Sequence, residues 1–398
     1  MSALRRISTR RLLLLCALSL AVVVGGTAVA LAATGGSGPK PPPKPLANAV
    51  QDALNAPAVP GISANIDFTN NLIDASSIQG ADPLMSGASG RLWASPEDGG
   101  KLRLELQSEE GTGGDSQVVV DGHKFWIYDG SSETVYQGTL PEEEGTEGTG
   151  GHESVPGLGE IETEIGKAEQ HAEISGATPS DVAGQPTYTV RVAPKHDGGL
   201  LGGLELAWDA GNGVPLRGAI YASESSSPVI QLEATEVSFE SIPASVFEIS
   251  PPAGAKVVNL SPEGQLGGGE GAKPREIVGA QAVSEAVDFN LDAPSTLAGL
   301  PQNEVRAIEV DGHKAALVTY GKGLGGIAVI QSKSEPGQGH EEEGAGGVSL
   351  PKVSINGTQG EELDTALGTV LRFSRGGVDY IVVGSVPPAA AEAAARAL

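Results

Sequence analysis

The spacing of apolar residues along the chain predicts mostly β-strands. In GISANIDF (61–68) every second residue from Ile62 to Phe68 is apolar, and in KLRLELQ (101–107) three leucines alternate with polar residues, most of them charged. Successive side chains of a strand point to opposite faces, so a period of two gives a strand with one apolar face. Each stretch is therefore predicted to lie in a sheet that buries one face.

Further alternating stretches, separated by turn residues, predict a long series of strands. They lie at 88–94, 116–121, 123–129, 133–138, 187–193, 203–209, 217–223, 228–240 and 245–249. So many short strands indicate an antiparallel sheet that curls. A second series predicts a compact α+β domain. It has a helix near 278–286, strands near 304–310, 314–320, 326–332, 352–356, 368–373 and 378–383, and an alanine-rich terminal helix.

Two segments have helical spacing instead. LANAVQDALNAP (46–57) carries Leu46, Val50 and Leu54 and ends at a proline. LGEIETEIGKAEQHAEI (158–174) repeats apolar residues every three or four positions from Leu158 to Ala168. Both are predicted to be amphipathic helices, each with one apolar stripe that packs on the sheet.

The N-terminus carries an export signal. Arginines at 5, 6, 10 and 11 precede an apolar run from Leu12 to Ala32, and Ala30–Ala33 fits a cleavage site. The run is also long enough for one spanning helix, so residues 1–33 are predicted to be a signal peptide or an anchor in the cytoplasmic membrane. In both cases the rest is expected outside the cytoplasm, after a Pro/Gly-rich tether at 34–45.

Charge and cysteine content narrow the functional classes. The chain has 25 Lys and Arg against 50 Asp and Glu, a formal net charge of −25. Phosphate backbones would repel such a chain, so no nucleic-acid partner is expected. Cys16 is the single cysteine and lies in the N-terminal apolar run, so no disulfide framework or thiolate site is expected beyond it.

The pentapeptide VDGHK occurs twice, at Val120–Lys124 and Val310–Lys314. Asp-Gly between alternating apolar runs favours a two-residue hairpin turn, because Asp tolerates a positive φ and Gly adopts one freely. A duplicated Asp/His metal site would need further ligands nearby, and the sequence suggests none. Two hairpins are therefore predicted.

Sequence motifs for catalysis are absent. The chain has no G-x-S-x-G, H-E-x-x-H, C-x-x-C or P-loop sequence. His152 and His340 lie beside glutamates in acidic loops at 141–153 and 335–347. A weak cation site there is the alternative to plain solvated loops, which the composition favours. We therefore predict a protein that is not an enzyme and has no cofactor and no metal site.

One long stretch resembles a known superfamily. Ser89–Leu140 contains, in order, a Gly-x-Leu-Trp strand, a proline, a strand into Asp-Gly, a Trp-Ile-Tyr strand and a Val-Tyr strand. Asp181–Lys195, Leu204–Tyr221 and Ala244–Val258 follow, the last with Phe-x-x-x-Pro-Pro-x-Gly. Over 46–259 this order resembles the LolA/LolB/LppX superfamily, the outer-membrane lipoprotein carriers and related lipid carriers.

The resemblance implies a fold and a site. The fold is an unclosed antiparallel β half-barrel with a helical plug, here helices 46–56 and 158–171, and a concave apolar face that holds acyl chains. The lining predicted in this chain is Leu102, Leu104, Leu106, Trp126, Tyr128, Tyr188, Leu204, Leu206, Trp208, Ile230 and Leu232. An ordinary closed core is the alternative for the same stripes. The Gram-negative carrier has a basic residue where this chain has Ser95, before Pro96, so its lid latch is not implied.

The C-terminal part, 276–398, follows a linker at 260–275. It resembles a small uncharacterised domain of exported bacterial proteins, some linked to anti-sigma factors, through ALVTYGKGLGGIAVIQ (316–331) and LRFSRGGVDYIVVG (371–384). The whole is predicted to be mainly β with α (α+β). We expect an extracytoplasmic, periplasmic or cell-envelope protein that binds lipid or lipoprotein acyl chains without catalysis. The alternative is an RseB-like envelope-stress regulator that binds an anti-sigma factor.

Overall fold

The computed structural model describes residues 38–73, 87–96, 100–108, 115–130, 132–139, 156–195, 199–260, 277–310, 313–323, 325–334 and 350–398. The predicted N-terminal segment (1–33), the two acidic loops and residues 261–275 of the linker lie outside these ranges. Within them, no helix combines the length and apolar character needed to cross a membrane.

The chain divides into two compact units. The first takes the described residues up to 71, those between 80 and 195, and those between 202 and 262. The second takes 72–79, 196–201 and the residues from 263 to 398, again as far as they are described. Two short segments of the N-terminal half therefore belong to the second unit, which a division of the sequence into consecutive blocks does not foresee.

The first unit has two helices and a sheet of 13 strands among the described residues. The helices are α1 (Leu46–Asn55) and α2 (Leu158–Ala168). The strands are β1 (Ile62–Asn70), β2 (Ala88–Ser95), β3 (Lys101–Ser108), β4 (Ser116–Asp121), β5 (Lys124–Asp129), β6 (Thr134–Thr139), β7 (Ala172–Ile174), β8 (Thr178–Val182), β9 (Gln185–Pro194), β10 (Leu201–Asp209), β11 (Pro215–Ala222), β12 (Pro228–Ser238) and β13 (Lys256–Leu260).

This sheet is an unclosed, curled half-barrel. Its order is β13-β6-β5-β4-β3-β2-β1-β12-β11-β10-β9-β7, with β8 also paired to β9, so β13 and β7 end the sheet. The strands pair antiparallel except β13, which runs parallel to β6. The predicted fold class, mainly β with an antiparallel half-barrel, is confirmed for this unit.

In the second unit the described residues form a sheet of eight strands and two helices. Its elements are α3 (Ala280–Ala286), β14 (Thr296–Leu297), β15 (Leu300–Val310), β16 (His313–Tyr320), β17 (Ile327–Lys333), β18 (Lys352–Ile355), β19 (Thr358–Thr365), β20 (Gly368–Arg375), β21 (Val378–Gly384) and α4 (Pro388–Ala397). The order is β14-β15-β16-β17-β21-β20-β19-β18.

Helix α4 closes the core of the second unit. Its alanines 391, 394 and 395 are fully buried and belong to the same cluster as Leu371, Phe373 and Val382 of the sheet. Spacing of three and four residues puts these alanines on one stripe, and their small side chains let the helix backbone approach the strands. The terminal alanine-rich helix was predicted, and this packing gives its role.

Both copies of VDGHK lie at hairpins, but the two turns differ. In the first, Asp121 pairs with Lys124, so Gly122 and His123 form the loop, and Gly122 has φ +58°. In the second, Val310 pairs with His313, which leaves Asp311-Gly312 between the strands and outside the described residues. The hairpins agree with the prediction. The first turn is shifted by one residue, because the pairing of the whole strands sets the register.

Three local predictions were wrong. Residues 245–249 are not a strand: Ala244–Val246 form a 3-10 helix after Pro243, and the chain then crosses to β13. The helix predicted at 158–174 ends at Ala168, and β7 follows it. Strands β8, β13, β14 and β19 were not predicted. In β13 and β19 the apolar pattern is short or broken by Gly and Glu, and long-range pairing forms the strands.

Candidate functional site

The leucines of β3 lie on one continuous face of the half-barrel. Leu104 pairs with Leu92 of β2 on one side and with Val118 of β4 on the other. Leu102 pairs with Val120 in the same way, and Leu106 with Gly90. Since residues paired directly across antiparallel strands point to the same face, Leu102 and Leu104 share their face with apolar residues on both neighbours, and Leu106 lies between Gly90 and Ser116.

The same face continues across β1 to β12. Phe68 of β1 pairs with Leu232 and with Ala88, and Asn70 pairs with Ile230. Ile230 and Leu232 therefore lie on the face of Leu104. Leu232 is 39% exposed, which is unusual for a leucine in the interior of a large sheet.

We call this surface the apolar face. Among its half-buried or exposed members are Leu92, Leu102, Leu104, Val118, Val120, Phe125, Ile127 and Leu232. Leu92 and Leu104 touch the buried cluster around Ile66 and Leu106. The other six belong to none of the described clusters of buried residues. The apolar face thus starts at a packed core and runs outward over β3–β5 without a described layer on top.

Trp126 and Tyr128 do not share this face. Val118 and Val120 of the apolar face pair with Ile127 and Phe125, so the alternate residues Trp126 and Tyr128 point to the other side of β5. There they lie opposite Val119 and Gln117. A single concave lining that contains both these aromatics and Leu104 is excluded by the two-residue period of the strand.

The residues predicted on β9 and β10 form a separate group. Leu204, Leu206 and Trp208 pair with Val192, Val190 and Tyr188. Leu206, Trp208, Val190 and Tyr188 pack with Leu46, Ala49, Val50 and Ala53 of α1. Tyr188 is 2% and Trp208 5% exposed, so helix α1 already covers this patch. The predicted plug helix is present, and it sits on the aromatic pair.

Polar contacts hold α1 in place. The Tyr188 hydroxyl donates to the carbonyl of Pro42, 2.7 Å away, just before the helix. Lys44 pairs with Asp52 at 2.5 Å, and this hydrogen bond is the main cause that raises the pKa of Lys44. Helix α2 packs beside α1. The helical layer is therefore fixed by its own segment 42–55 and by the sheet beneath.

Gly213 marks the tightest approach of α1 to the sheet. It has φ +74° in the β10–β11 turn, and a Cβ there would lie 2.6 Å from the carbonyl oxygen of Ala53. Gly184 has the same φ, +74°, in the β8–β9 turn, with nothing within 4 Å of such a Cβ. The two glycines therefore separate the cost of the backbone conformation from the cost of displacing the helix.

We expect Gly213→Ala to lower the free energy of unfolding more than Gly184→Ala does. Both changes place Ala at a positive φ, which costs about 1–2 kcal/mol, and Gly213→Ala adds overpacking worth about 1–3 kcal/mol. Urea unfolding followed by tryptophan emission measures both, because Trp208 lies under α1. Equal losses in the two variants would contradict a tight helix contact at Gly213.

Charged residues lie beside each other on β9–β12. Arg217 pairs with Glu205 at 2.6 Å and with Glu233 at 3.8 Å, and the guanidinium of Arg191 lies 4.3 Å from the ring centre of Tyr221. Burial raises the pKa of Glu233 and of Tyr221, and Arg217 opposes the shift in both. Arg217 thus balances two carboxylates, which is a structural ion-pair network.

The described residues contain no group of three His, Cys, Asp or Glu placed to hold a metal ion. His171 is exposed after the end of α2, and His123 is exposed in the β4–β5 turn. His152 and His340 lie outside the described residues, as do both acidic loops. Among the described residues the apolar face is the candidate binding surface, because α1 covers the patch of Tyr188 and Trp208.

Comparison with known proteins gives likenesses of fold. No family model and no curated protein matches the sequence. The Pseudomonas aeruginosa MucA/MucB complex contains a similar chain, with a TM-score of 0.43 and 15% identity over 88% of this chain and 96% of that chain. MucB crystallised with MucA(peri) matches with a TM-score of 0.41 and 18% identity, over 88% of this chain and 94% of that chain.

Carrier-type structures match over a shorter range. A putative outer membrane lipoprotein-sorting protein domain from Vibrio parahaemolyticus covers 51% of this chain and 96% of its own, with 12% identity and a TM-score of 0.23. A LolA superfamily protein from Nitrosomonas europaea covers 52% of this chain and 99% of its own, with 8% identity and a TM-score of 0.21. The chain is thus structurally similar to MucB over most of its length and to LolA-superfamily proteins over about half.

Proposed function

We propose that this protein is a non-enzymatic, extracytoplasmic regulator that binds a segment of a partner protein on its apolar face. The observation that carries the proposal is the face itself: six half-buried or exposed apolar side chains on β3–β5 and β12 lie outside the described clusters of buried residues. Exposed contiguous apolar surface of this kind marks sites of interaction.

A protein segment suits this face better than a single acyl chain. Small-molecule sites enclose most of the ligand surface. Among the described residues the apolar face is open on its outer side, and the aromatic patch that would enclose a ligand is filled by α1. A peptide brings its own backbone hydrogen bonds and covers the part that the sheet leaves open.

The sequence resemblance suggests the class of partner. An RseB-like arrangement implies the extracytoplasmic part of an anti-sigma factor, and MucB was solved in complex with MucA. We extend this partner class to the present chain as a proposal. Export through the N-terminal segment would place the protein on the side of the membrane where such a partner is exposed.

An acyl lipid is the second candidate occupant. The apolar face is continuous over four neighbouring strands, β2 to β5, and burying hydrocarbon contributes about 0.8 kcal/mol per CH₂ without any polar recognition. Leu232, 39% exposed, would then be covered by the chain of the lipid. The residues predicted on this face are Leu102, Leu104, Leu106, Ile230 and Leu232.

The substitution Leu232→Asp tests the site. We expect it to weaken binding of the partner segment at least about tenfold, because it places a charge on the apolar face. Val257→Asp is the matched control: Val257 is 52% exposed on β13 and pairs with Val135, on the opposite face of the sheet. Titration calorimetry with peptides from the source organism's anti-sigma proteins measures the binding of the partner segment.

Lipid extraction and native mass spectrometry of the exported protein show whether an acyl lipid is bound. Peptide binding that Leu232→Asp weakens and Val257→Asp leaves intact supports the regulator. If no peptide binds, and lipid adducts are lost in Leu232→Asp but kept in Val257→Asp, a lipid carrier replaces the regulator as the proposed function. Equal effects of the two variants would remove the apolar face from consideration.

A further inference from the structure

A concave feature lies on the face of the sheet opposite to the apolar face. It is a groove of about 420 Å³ across β12, β1, β2 and β3. Its walls include the side chains of Asn65, Asp67, Arg91, Glu105, Gln107 and Thr235. The strand register arranges them in rows: Asn65 pairs with Arg91 and Arg91 with Glu105, while Asp67 pairs with Ser89 and Ser89 with Gln107. These residues alternate with Ile66, Gly90 and Leu106 and so face away from the apolar face.

The backbone gives the groove its shape. Asn65 pairs with Glu236 and Ile66 with Ala234, so Thr235 is an extra residue that forms a bulge in β12. A bulge increases the local twist of the strand. At Gly90 a Cβ would lie 2.0 Å from the carbonyl oxygen of Glu105, so β2 approaches β3 where only glycine fits. The bulge in β12 and the close approach of β2 to β3 therefore set the backbone around the groove.

Neighbouring side chains orient the groups that line it. The Asn65 side chain donates to Glu236 at 2.7 Å, which leaves its carbonyl oxygen as an acceptor. One oxygen of Glu105 accepts from Gln117 at 3.5 Å and from Arg103, which leaves the other oxygen available. Within the described part of the chain, Arg91 and Asp67 have no ion-pair partner. The groove thus combines a hydrogen-bond donor, the Arg91 guanidinium, with acceptors on Asn65, Asp67 and Glu105.

Charge and polarity define the class of ligand. Asp67 and Glu105 against Arg91 leave a net charge of −1, which disfavours phosphates and other anions. The side chains that face the groove are polar, since that of Ile66 points to the apolar face, so an acyl chain would find little to cover. A neutral molecule rich in hydroxyl groups can donate to the carboxylates and accept from the guanidinium. The volume lies within the range of small-molecule sites.

We propose that this groove binds a neutral carbohydrate chain of the cell envelope. The site goes beyond the proposed function and does not depend on it, since it lies on the other face of the sheet from Leu232. It would give the exported protein a second contact, with glycan, while the apolar face engages a partner.

Titration calorimetry of the full exported chain tests the site with three probes, tetrasaccharides of glucose, mannose and N-acetylglucosamine. We expect at least one to bind at millimolar concentration or better. Asp67→Ala and Arg91→Ala should each weaken that binding at least about tenfold. Glu173→Ala, an exposed carboxylate on β7, should leave it unchanged, as should Leu232→Asp.

Saturation-transfer NMR with the same probes covers weak binding, and near-UV circular dichroism checks the fold of each variant. Failure of all three probes overturns the carbohydrate site. So does binding that neither Asp67→Ala nor Arg91→Ala weakens. Because Leu232→Asp reports only on the apolar face, failure of this site and failure of the proposed function are seen separately.

Discussion

Replacing Phe247 by alanine is expected to lower the free energy of unfolding of the first unit by about 3–5 kcal/mol. Phe247 is 3% exposed and follows the 3-10 helix that leads from β12 to β13. Arg103 of β3 donates to the carbonyl of Val246 at 2.8 Å, so the aromatic ring and this hydrogen bond fix the crossover on the sheet. Without the ring a cavity remains under the crossover, and the pairing of β13 with β6 weakens.

Tryptophan emission during urea unfolding measures this effect in the right unit. The three tryptophans, Trp93, Trp126 and Trp208, are all in the first unit. Glu248→Ala changes the exposed neighbour and should shift the free energy of unfolding by less than about 0.5 kcal/mol. A Phe247→Ala loss as small as that of Glu248→Ala would show that the ring does not anchor the crossover.

The sequence predicts the strands of this protein well where apolar residues alternate over six or more positions. β1 and β3 are such cases, because the period of two is a local property. The crossover shows the limit. Its Phe247 and Ile249 alternate like a strand, yet Pro243 starts a 3-10 helix and the ring is used to anchor a loop. Only the distant contact with Arg103 distinguishes the two uses.

For the same reason, the sequence groups the apolar residues of a single strand but not their arrangement across the sheet. Strand periodicity places Leu102, Leu104 and Leu106 on one face with certainty. It cannot relate that face to the faces of β5, β9 and β10, since the register of each pair depends on turns and bulges. Trp126 and Tyr128 therefore lie on the other side of the sheet, and Trp208 lies beneath α1. The polar groove depends on the bulge at Thr235, for which the sequence carries no signal.

Two buried tyrosines should make the second unit sensitive to alkaline pH. Burial raises the pKa of Tyr320 and of Tyr380 to about 12, from an ordinary value of 10.0. Tyr380 also donates to Asp292, which raises its pKa further, while Arg375 opposes the shift. Both side chains are nearly inaccessible, with 1% and 2% exposure, so solvent screens these effects little.

The sign follows from the direction of the shift. Below about pH 10 both tyrosines are protonated in the folded and the unfolded chain, so their contribution to stability is fully present. Between about pH 10 and 12 the unfolded chain loses these protons first, so the free energy of unfolding falls as the pH rises. Each tyrosine should account for a loss of about 2 kcal/mol near pH 11.5, since one pKa unit corresponds to 1.36 kcal/mol.

Amide hydrogen exchange on β16 and β21 measures this loss in the second unit, which contains no tryptophan. Tyr320→Phe and Tyr380→Phe should each reduce the difference in the free energy of unfolding between pH 9 and pH 11.5. The double variant should remove both contributions. Tyr380→Phe should also be less stable at pH 9, because Asp292 loses a donor. Tyr136→Phe, a half-buried tyrosine of the first unit, serves as the control.

A pH dependence that the double variant retains would assign the alkaline sensitivity to other groups. Loss of that dependence in the double variant alone would show that these two phenols, held protonated inside the second sheet, set the upper pH limit of its stability.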